Sequence, residues 1–152
     1  AALLLELLTD PELLVAQRKF QGAVSAQVQL EKQSESELIQ RVDAQEYARP
    51  MGGVDRSRTV PSLTRYRWNL TEGSCRWTYK GEYGSRVRLE GGIRILPEGE
   101  ACRVVSRFEV EVRVPLLGKT IEKRIRKEIQ AGLIPYERFV REEVSRRLSG
   151  EA

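Results

Sequence analysis

Residues Cys102–Leu148 read CRVVSRFEVEVRVPLLGKTIEKRIRKEIQAGLIPYERFVREEVSRRL, and this stretch decides the fold. Up to Val114 the even positions are mostly apolar and the odd positions mostly charged. That period of two predicts a long strand in an antiparallel sheet with one face in water. From Ile121 onward apolar residues recur every three or four positions, the spacing of an amphipathic helix. A curved sheet with a long helix across its apolar face forms a container, which favours binding of an apolar molecule.

The composition is that of an ordinary water-exposed domain. The chain has 152 residues, of which 40% are hydrophobic and 32% charged, so we expect a single domain over residues 1–152. No apolar run approaches the roughly 20 residues that span a bilayer. The opening AALLLELL is short and lacks a basic lead, and we interpret it as a helix rather than a secretory signal.

The residue types exclude several kinds of chemistry. Without histidine, the chain has no Ser–His–Asp or Cys–His machinery and no zinc site of the imidazole kind. We expect no metal, no cofactor and no catalytic residue. The net charge of +4 is modest, and acidic residues interleave with the basic ones of the last helix, so we expect ion pairs there and no nucleic-acid partner. Both cysteines lie in the inward phase of strands, which predicts free thiols and a cytoplasmic protein.

The order of elements follows from local signals. The cluster Thr9–Glu12 starts a helix, which predicts helices Ala2–Leu8 and Pro11–Lys19. Period-two patterns then predict an antiparallel meander of about six strands, and the whole is an α+β domain. Residues Ala48–Ser62 lack any period and are predicted to form a long loop. The pair Gly91-Gly92 predicts a bulge or a sharp bend in the sheet, and Pro135 predicts a bend in the last helix.

Large aromatic residues concentrate on the predicted concave face of the middle strands. They are Tyr66, Trp68, Trp77, Tyr79 and Phe108. Simple core packing against the helix explains them as well as a binding role does. The polar tips of Trp and Tyr need partners when buried, however, and this favours a partly hollow interior.

The element order, the TDPE helix start and the corner VPLLGKTIEK resemble the START-like (SRPBCC, helix-grip) superfamily, and within it a bacterial family of uncharacterised function. The corner signature falls on Val114, Pro115, Leu116, Leu117, Gly118, Ile121 and Glu122. The resemblance extends from Leu3 to about Leu148. It implies a deep cavity between the sheet and the C-terminal helix that holds a hydrophobic small molecule or lipid, and it brings no catalytic residue with it.

We therefore expect a non-enzymatic binding module. The expected cavity walls are Tyr66, Trp68, Trp77, Tyr79, Phe108, Val112, Ile125, Ile129 and Tyr136. In the START-like fold a strand precedes the first helix, and we expect that strand to be missing here. The strands beside its place would then have open edges, so we expect a homodimer or strand exchange.

Two alternatives remain open. A cyclase- or dehydratase-like enzyme would use a cavity Tyr66, Tyr79 or Tyr136, or an inward-facing Glu46, as its acid or base. A protein- or membrane-docking adaptor would use the basic last helix without stable membrane insertion, and it would have no internal cavity and a steep salt dependence.

Overall fold

The computed structural model describes residues 1–49 and 53–150. Two short helices come first, then a six-stranded antiparallel sheet, and a long helix comes last. The elements are α1 (Ala2–Thr9), α2 (Pro11–Phe20), β1 (Ser25–Gln33), β2 (Glu37–Ala48), β3 (Asp55–Asn69), β4 (Ser74–Lys80), a 3-10 turn (Gly84–Arg86), β5 (Val87–Glu98), β6 (Ala101–Val112) and α3 (Gly118–Leu148). The strands lie side by side in chain order, with β1 and β6 at the edges. The predicted α+β meander with a long C-terminal helix is confirmed.

Asp10 links the start of α2 to the end of α3. Its side chain accepts a hydrogen bond from the Glu12 amide at 3.0 Å and so caps α2, with Pro11 at the first helical position. The other carboxylate oxygen forms an ion pair with Arg147 in the last turn of α3. One helix-capping residue therefore also holds the end of the C-terminal helix.

The packed core lies at one end of the sheet. Its buried residues come from α1, α2 and the strands β2 to β5: Leu4, Leu7, Leu8, Leu13, Leu38, Trp68, Cys75 and Ile95. Three residues from the C-terminal half of α3 pack against this core: Phe139, Val140 and Val144. Phe139 also stacks on Phe20 of α2 with ring centroids 5.0 Å apart. This end of the molecule is filled by apolar side chains from all three helices.

The helix α3 runs as one continuous helix of 31 residues, roughly 46 Å in length. Ile121 in its first turn is only 2% exposed, so the start of the helix is anchored as well as the end. Pro135 lies inside the helix and removes one backbone hydrogen bond, and the bend expected there stays a prediction.

The predicted loop over Ala48–Ser62 is wrong for most of its length. Strand β3 begins at Asp55, and its first part pairs with β2, for example Thr59 with Tyr47. Pairing of β3 with β4 begins only at Leu63, so residues 55–62 have a neighbouring strand on one side alone. A strand with a neighbour on one side only tolerates charged residues on both faces, and it also tolerates Pro61. Its sequence therefore lacks the alternation of apolar and polar residues that marks buried strands. Residues 50–52 of that predicted loop lie outside the described residues.

No bulge interrupts the sheet at Gly91-Gly92, so that part of the prediction is wrong, and a sharp bend there stays a prediction. The pairing of β5 with both neighbours runs through the two glycines without a shift in register. A Cβ atom on Gly91 would lie 2.5 Å from Cζ2 of Trp77 and 2.4 Å from the carbonyl oxygen of Arg107. The glycine is needed because a neighbouring aromatic ring occupies the space that a side chain would fill.

The outward face of β5 and β6 is laced with ion pairs, as the alternation predicts. Arg88 pairs with Glu90 at 3.5 Å and with Glu111 at 3.1 Å, and Arg113 pairs with Glu111 at 3.0 Å. These pairs are exposed and therefore contribute little to stability. None of the helices within residues 1–49 and 53–150 has the length and apolar character needed to cross a membrane.

The close approach at Gly91 leads to a stability prediction. In Gly91→Ala the new methyl group meets a backbone carbonyl that cannot yield cheaply, so we expect a loss of about 1–3 kcal/mol. The matched control is Gly92→Ala, whose Cβ would lie 3.4 Å from the nearest atom and should cost much less. Urea unfolding monitored by tryptophan emission compares the two, and equal midpoints would show that Trp77 is not held over Gly91.

The two cysteines are both free, as predicted. Cys75 pairs with Ile93 and Cys102 with Pro97, so β5 separates them. Cys102 is half-buried, whereas Cys75 lies in the core, where burial raises the pKa of its thiol to about 12.

Thiol reactivity should distinguish the two positions. Because the thiolate is the reactive form, only Cys102 should react readily with an aromatic disulfide reagent in the native protein near pH 8. Cys102→Ser should remove the fast reaction, and denaturant should expose a second thiol in the unreduced wild type. Faster labelling of Cys75 in the native state would contradict its placement in the core.

Candidate functional site

A cavity of about 650 Å³ lies between the sheet and α3, beside the packed core. This volume falls in the range of about 300–1,000 Å³ that is typical of small-molecule sites. Eight of the nine predicted wall residues line it: Tyr66, Trp68, Trp77, Tyr79, Phe108, Ile125, Ile129 and Tyr136. Sequence alternation and helical spacing therefore assigned these side chains to one shared space.

Val112 is the predicted wall residue that the cavity does not include. It is the last residue of β6 and pairs with Val87 at the end of the β5–β6 ladder. Its carbonyl oxygen would lie 2.7 Å from a Cβ atom on Gly118, so it sits beneath the start of α3. The alternation assigned its face correctly, but its position along the strand places it at the corner rather than in the cavity.

Cross-strand pairing builds the sheet wall of the cavity. Tyr66 on β3 is directly opposite Trp77 on β4, and Trp77 is opposite Gly91 on β5, which in turn faces Phe108 on β6. Trp77 thus lies between two aromatic neighbours, with a glycine beneath its ring. Trp68 differs from these residues because it is 1% exposed and belongs to the core as well as to the wall.

The helix wall comes from the middle of α3. Ile125, Ile129 and Tyr136 face the sheet across the cavity, and Gly132 lies between them along the helix. No heavy atom lies within 4 Å of the Cβ position of Gly132, other than its own helix backbone and chain neighbours. Gly132 is exposed and lines the cavity, so its lack of a side chain leaves open space at this point of the wall.

Three polar side chains meet in the cavity wall near α2. The Arg18 guanidinium forms an ion pair with one oxygen of Glu46, and the Tyr79 hydroxyl donates a hydrogen bond of 2.5 Å to the other. The guanidinium carbon also lies 5.9 Å from the centroid of the Tyr79 ring. Gly81 makes room for this arrangement, since a Cβ there would lie 2.6 Å from the Tyr79 hydroxyl oxygen. We call Arg18, Glu46 and Tyr79 the polar cluster.

The rim of the cavity ties α3 to the sheet. Arg49 after β2 pairs with Glu128 of α3 at 3.3 Å, and its backbone amide donates to Glu82 at 2.8 Å. Arg124 donates to the Tyr83 hydroxyl at 3.4 Å. The half-exposed Phe20 and Leu133 also line the cavity and present apolar surface to solvent at the gap between α2 and α3.

Sequence reasoning found the apolar wall and Glu46 but missed Arg18 and the rim residues. Arg18 lies in the last turn of α2, where a basic residue is common because it suits the helix dipole. Its pairing with Glu46 spans 28 positions of sequence and leaves no local signal. Only the packing of α2 against the sheet reveals the polar cluster.

A second depression, of about 630 Å³, runs along the outer face of α3. Its lining is a single helix face from Ile134 to Arg146, rich in charged and exposed side chains. No second element among the described residues closes it, so we regard it as surface relief. Within the described part of the chain, no three His, Cys, Asp or Glu side chains are grouped so as to hold a metal ion.

Comparison with known proteins identifies the family. A family model described as "Protein of unknown function (DUF2505)" matches residues 1–143. The chain belongs to this family. Its fold is similar to that in a crystal structure of TTHA0849 from Thermus thermophilus, with a TM-score of 0.61 and 22% sequence identity over 98% of this chain and 90% of that one. No curated protein matches the sequence.

Burial changes the acid–base behaviour of the cavity tyrosines. It raises the pKa of Tyr66, Tyr79 and Tyr136 above the ordinary value. At Tyr79 the negative charge of Glu46 and the hydrogen bond to it raise the pKa further. Each hydroxyl is therefore protonated at neutral pH and acts as a hydrogen-bonding group rather than as a base.

The tyrosine shifts predict an alkaline loss of stability. An unfolded tyrosine ionises with a pKa of about 10, so above that pH the unfolded state loses protons before the folded one does. The free energy of unfolding should therefore fall as pH rises beyond about 10, and Tyr136→Phe should make the fall shallower. Ultraviolet titration should show these three tyrosines still protonated in the folded protein when the others have ionised. Ionisation of all tyrosines near pH 10 without unfolding would contradict their burial.

Proposed function

We propose that this protein binds a hydrophobic small molecule or lipid in the cavity between the sheet and α3, as a non-enzymatic member of the START-like superfamily. The observation that carries the proposal is the cavity itself, with Trp77, Phe108, Ile125 and Ile129 as its apolar surface. A ligand there would remove apolar surface from water, which contributes roughly 25 cal/mol per Å². The element order and the corner signature support the superfamily assignment.

The polar cluster favours binding over catalysis. A general acid or base works best with a pKa near the operating pH. Tyr79 has its pKa moved away from neutrality, and Arg18 already neutralises the charge of Glu46. The pair therefore lacks the tuning expected of a cyclase-like acid or base.

The docking-adaptor alternative also fits less well. It requires free positive charge on α3 and a filled interior. Three arginines of the helix, Arg126, Arg141 and Arg146, each pair with an acidic residue of the same helix, which reduces the positive charge that α3 presents. The cavity behind the helix has no role in such a function.

The Trp77 side chain offers the direct test of binding. Addition of pyrene or decanol should change tryptophan emission and raise the melting temperature, because a ligand that binds only the folded state stabilises it. In Trp77→Phe, which keeps an aromatic ring, the stabilisation should persist while the part of the emission change that arises at Trp77 is lost.

Truncation should separate wall residues from core residues. A packed Trp or Phe cut to Ala costs about 3–5 kcal/mol, and a side chain that borders a hollow has fewer contacts to lose. Trp77→Ala and Tyr136→Ala should therefore cost less than that range and weaken ligand uptake. The control Ile121→Ala, at a residue 2% exposed, should destabilise without a specific binding defect. If apolar compounds leave emission and melting unchanged and Trp77→Ala is as damaging as a core deletion, the cavity is not a binding site.

A further inference from the structure

The corner between β6 and α3 presents apolar side chains to solvent. Leu116 is fully exposed, and the neighbouring Leu117 is 42% exposed. Both follow Pro115, which is exposed as well. Single apolar residues are common on protein surfaces, but two adjacent leucines after a proline form a small apolar projection at the tip of this corner.

The backbone at this tip is unfavourable for a leucine. Leu116 has a φ of 66°, the one positive value at a residue other than glycine within the described part of the chain. Glycine or asparagine adopts this left-handed conformation more easily than leucine does. Because the side chain of Leu116 is also fully exposed, neither packing nor backbone conformation explains why an apolar residue stands there.

Three lysines continue from this tip along α3. Lys119, Lys123 and Lys127 are spaced four residues apart, so they lie on one side of the helix. All three are exposed, and none forms an ion pair with another described residue. The first turn of α3 contains no acidic residue, although acidic side chains are the favourable ones at that end of a helix. The stability of the helix therefore does not explain Lys119.

The acidic residues near the corner do not neutralise these lysines. Glu122 pairs with Arg126 at 3.4 Å within α3. Glu111, close to the end of β6, pairs with Arg88 at 3.1 Å and with Arg113 at 3.0 Å. The start of α3 consequently carries unpaired positive charge, whereas three arginines of the same helix are engaged in ion pairs.

An apolar tip beside unpaired lysines matches the surface of an anionic membrane. Apolar side chains enter the boundary between headgroups and acyl chains, and nearby lysines are attracted to the negative charge of the lipids. We propose that this surface docks the protein reversibly on membranes that contain anionic lipid. Its residues, which we call the basic corner, are Leu116, Leu117, Lys119, Lys123 and Lys127. Two leucines bury far less apolar surface than a spanning helix, so the docked protein stays peripheral.

The basic corner lies beside one end of the cavity. Val87, a residue of the cavity lining, pairs with Val112 at the end of β6, and Gly118 at the start of α3 lies against the backbone of Val112. Docking would therefore bring that end of the cavity towards the membrane. The inference goes beyond the proposed binding function and does not depend on it, because its test uses no cavity ligand.

Sedimentation of the full chain with vesicles tests the docking. We expect binding to vesicles of phosphatidylcholine mixed with phosphatidylserine, and release as salt is added, because salt screens exposed charges. Vesicles of phosphatidylcholine alone should bind far less protein. Equal binding to the two kinds of vesicle would overturn the role of the lysines, and absence of binding to the mixed vesicles would overturn the docking itself while leaving the cavity function intact.

Two triple variants identify the charges responsible. One carries Lys119→Gln, Lys123→Gln and Lys127→Gln, and its matched control carries Lys19→Gln, Lys32→Gln and Lys80→Gln. The first should lose at least about tenfold in affinity for the mixed vesicles, since each lysine near an anionic surface contributes to binding. The control removes the same net charge elsewhere and should lose much less. Equal losses would assign the binding to overall charge and overturn the basic corner.

Leu116→Asn separates docking from stability. Because asparagine accepts a positive φ more easily than leucine, the melting temperature should stay the same or rise. Affinity for the mixed vesicles should nevertheless fall by about tenfold, since the apolar tip is gone. The control Leu148→Asn replaces another exposed leucine, at the far end of α3, and should leave the affinity unchanged. Unchanged binding by Leu116→Asn would overturn insertion of the tip.

Discussion

The structure depends on the anchoring of α3 at both of its ends. Ile121 is buried at the start of the helix, and Phe139, Val140 and Val144 pack into the core at the other end. Protein interiors are otherwise close-packed, so a hollow persists only where rigid elements hold its walls apart. The long helix acts as such an element, because it spans the gap between two packed regions and its middle turns form the roof of the cavity.

Small residues keep the space between these anchors open. Gly132 leaves a gap on the helix side, and Gly91 gives Trp77 the room to sit over β5. Neither glycine lies in a turn or has the positive φ that only glycine adopts easily. Both glycines are therefore explained by the space around them rather than by backbone conformation, and both help to form the cavity.

The ion pairs on the surface of the molecule differ from the ion pair inside it in how far they are removed from water. On the outward face of the sheet and along α3 the ion pairs are exposed and contribute little to stability. Inside, the pair of Arg18 with Glu46 is largely removed from water, where an unbalanced charge would be costly. The mildly basic character of the whole chain therefore says nothing about the cavity, which is close to neutral beside α2.

The comparisons with known proteins define the family and the fold and leave the function to be argued from the site. The family is described as one of unknown function, and the solved structure shares the fold at 22% identity. A shared fold hosts many functions, so what distinguishes this protein is the set of side chains in its cavity. Those side chains combine an apolar surface with one neutral polar cluster, and that combination is the basis of the proposed binding function.

The sequence by itself determined the elements whose pattern is local. Three such patterns are the alternation in β6, the spacing of apolar residues in α3 and the TDPE helix start. Each arises within one segment that buries one face, and such patterns identified eight residues of the cavity wall. Tertiary structure alone decided the rest. The strand at residues 55–62 exists because β2 pairs with it, Gly91 is required by a ring from β4, and Arg18 meets Glu46 only once α2 lies on the sheet. Periodicity records which face of a segment is buried, but it carries no information about which neighbour covers that face, because that depends on contacts between residues far apart in the chain.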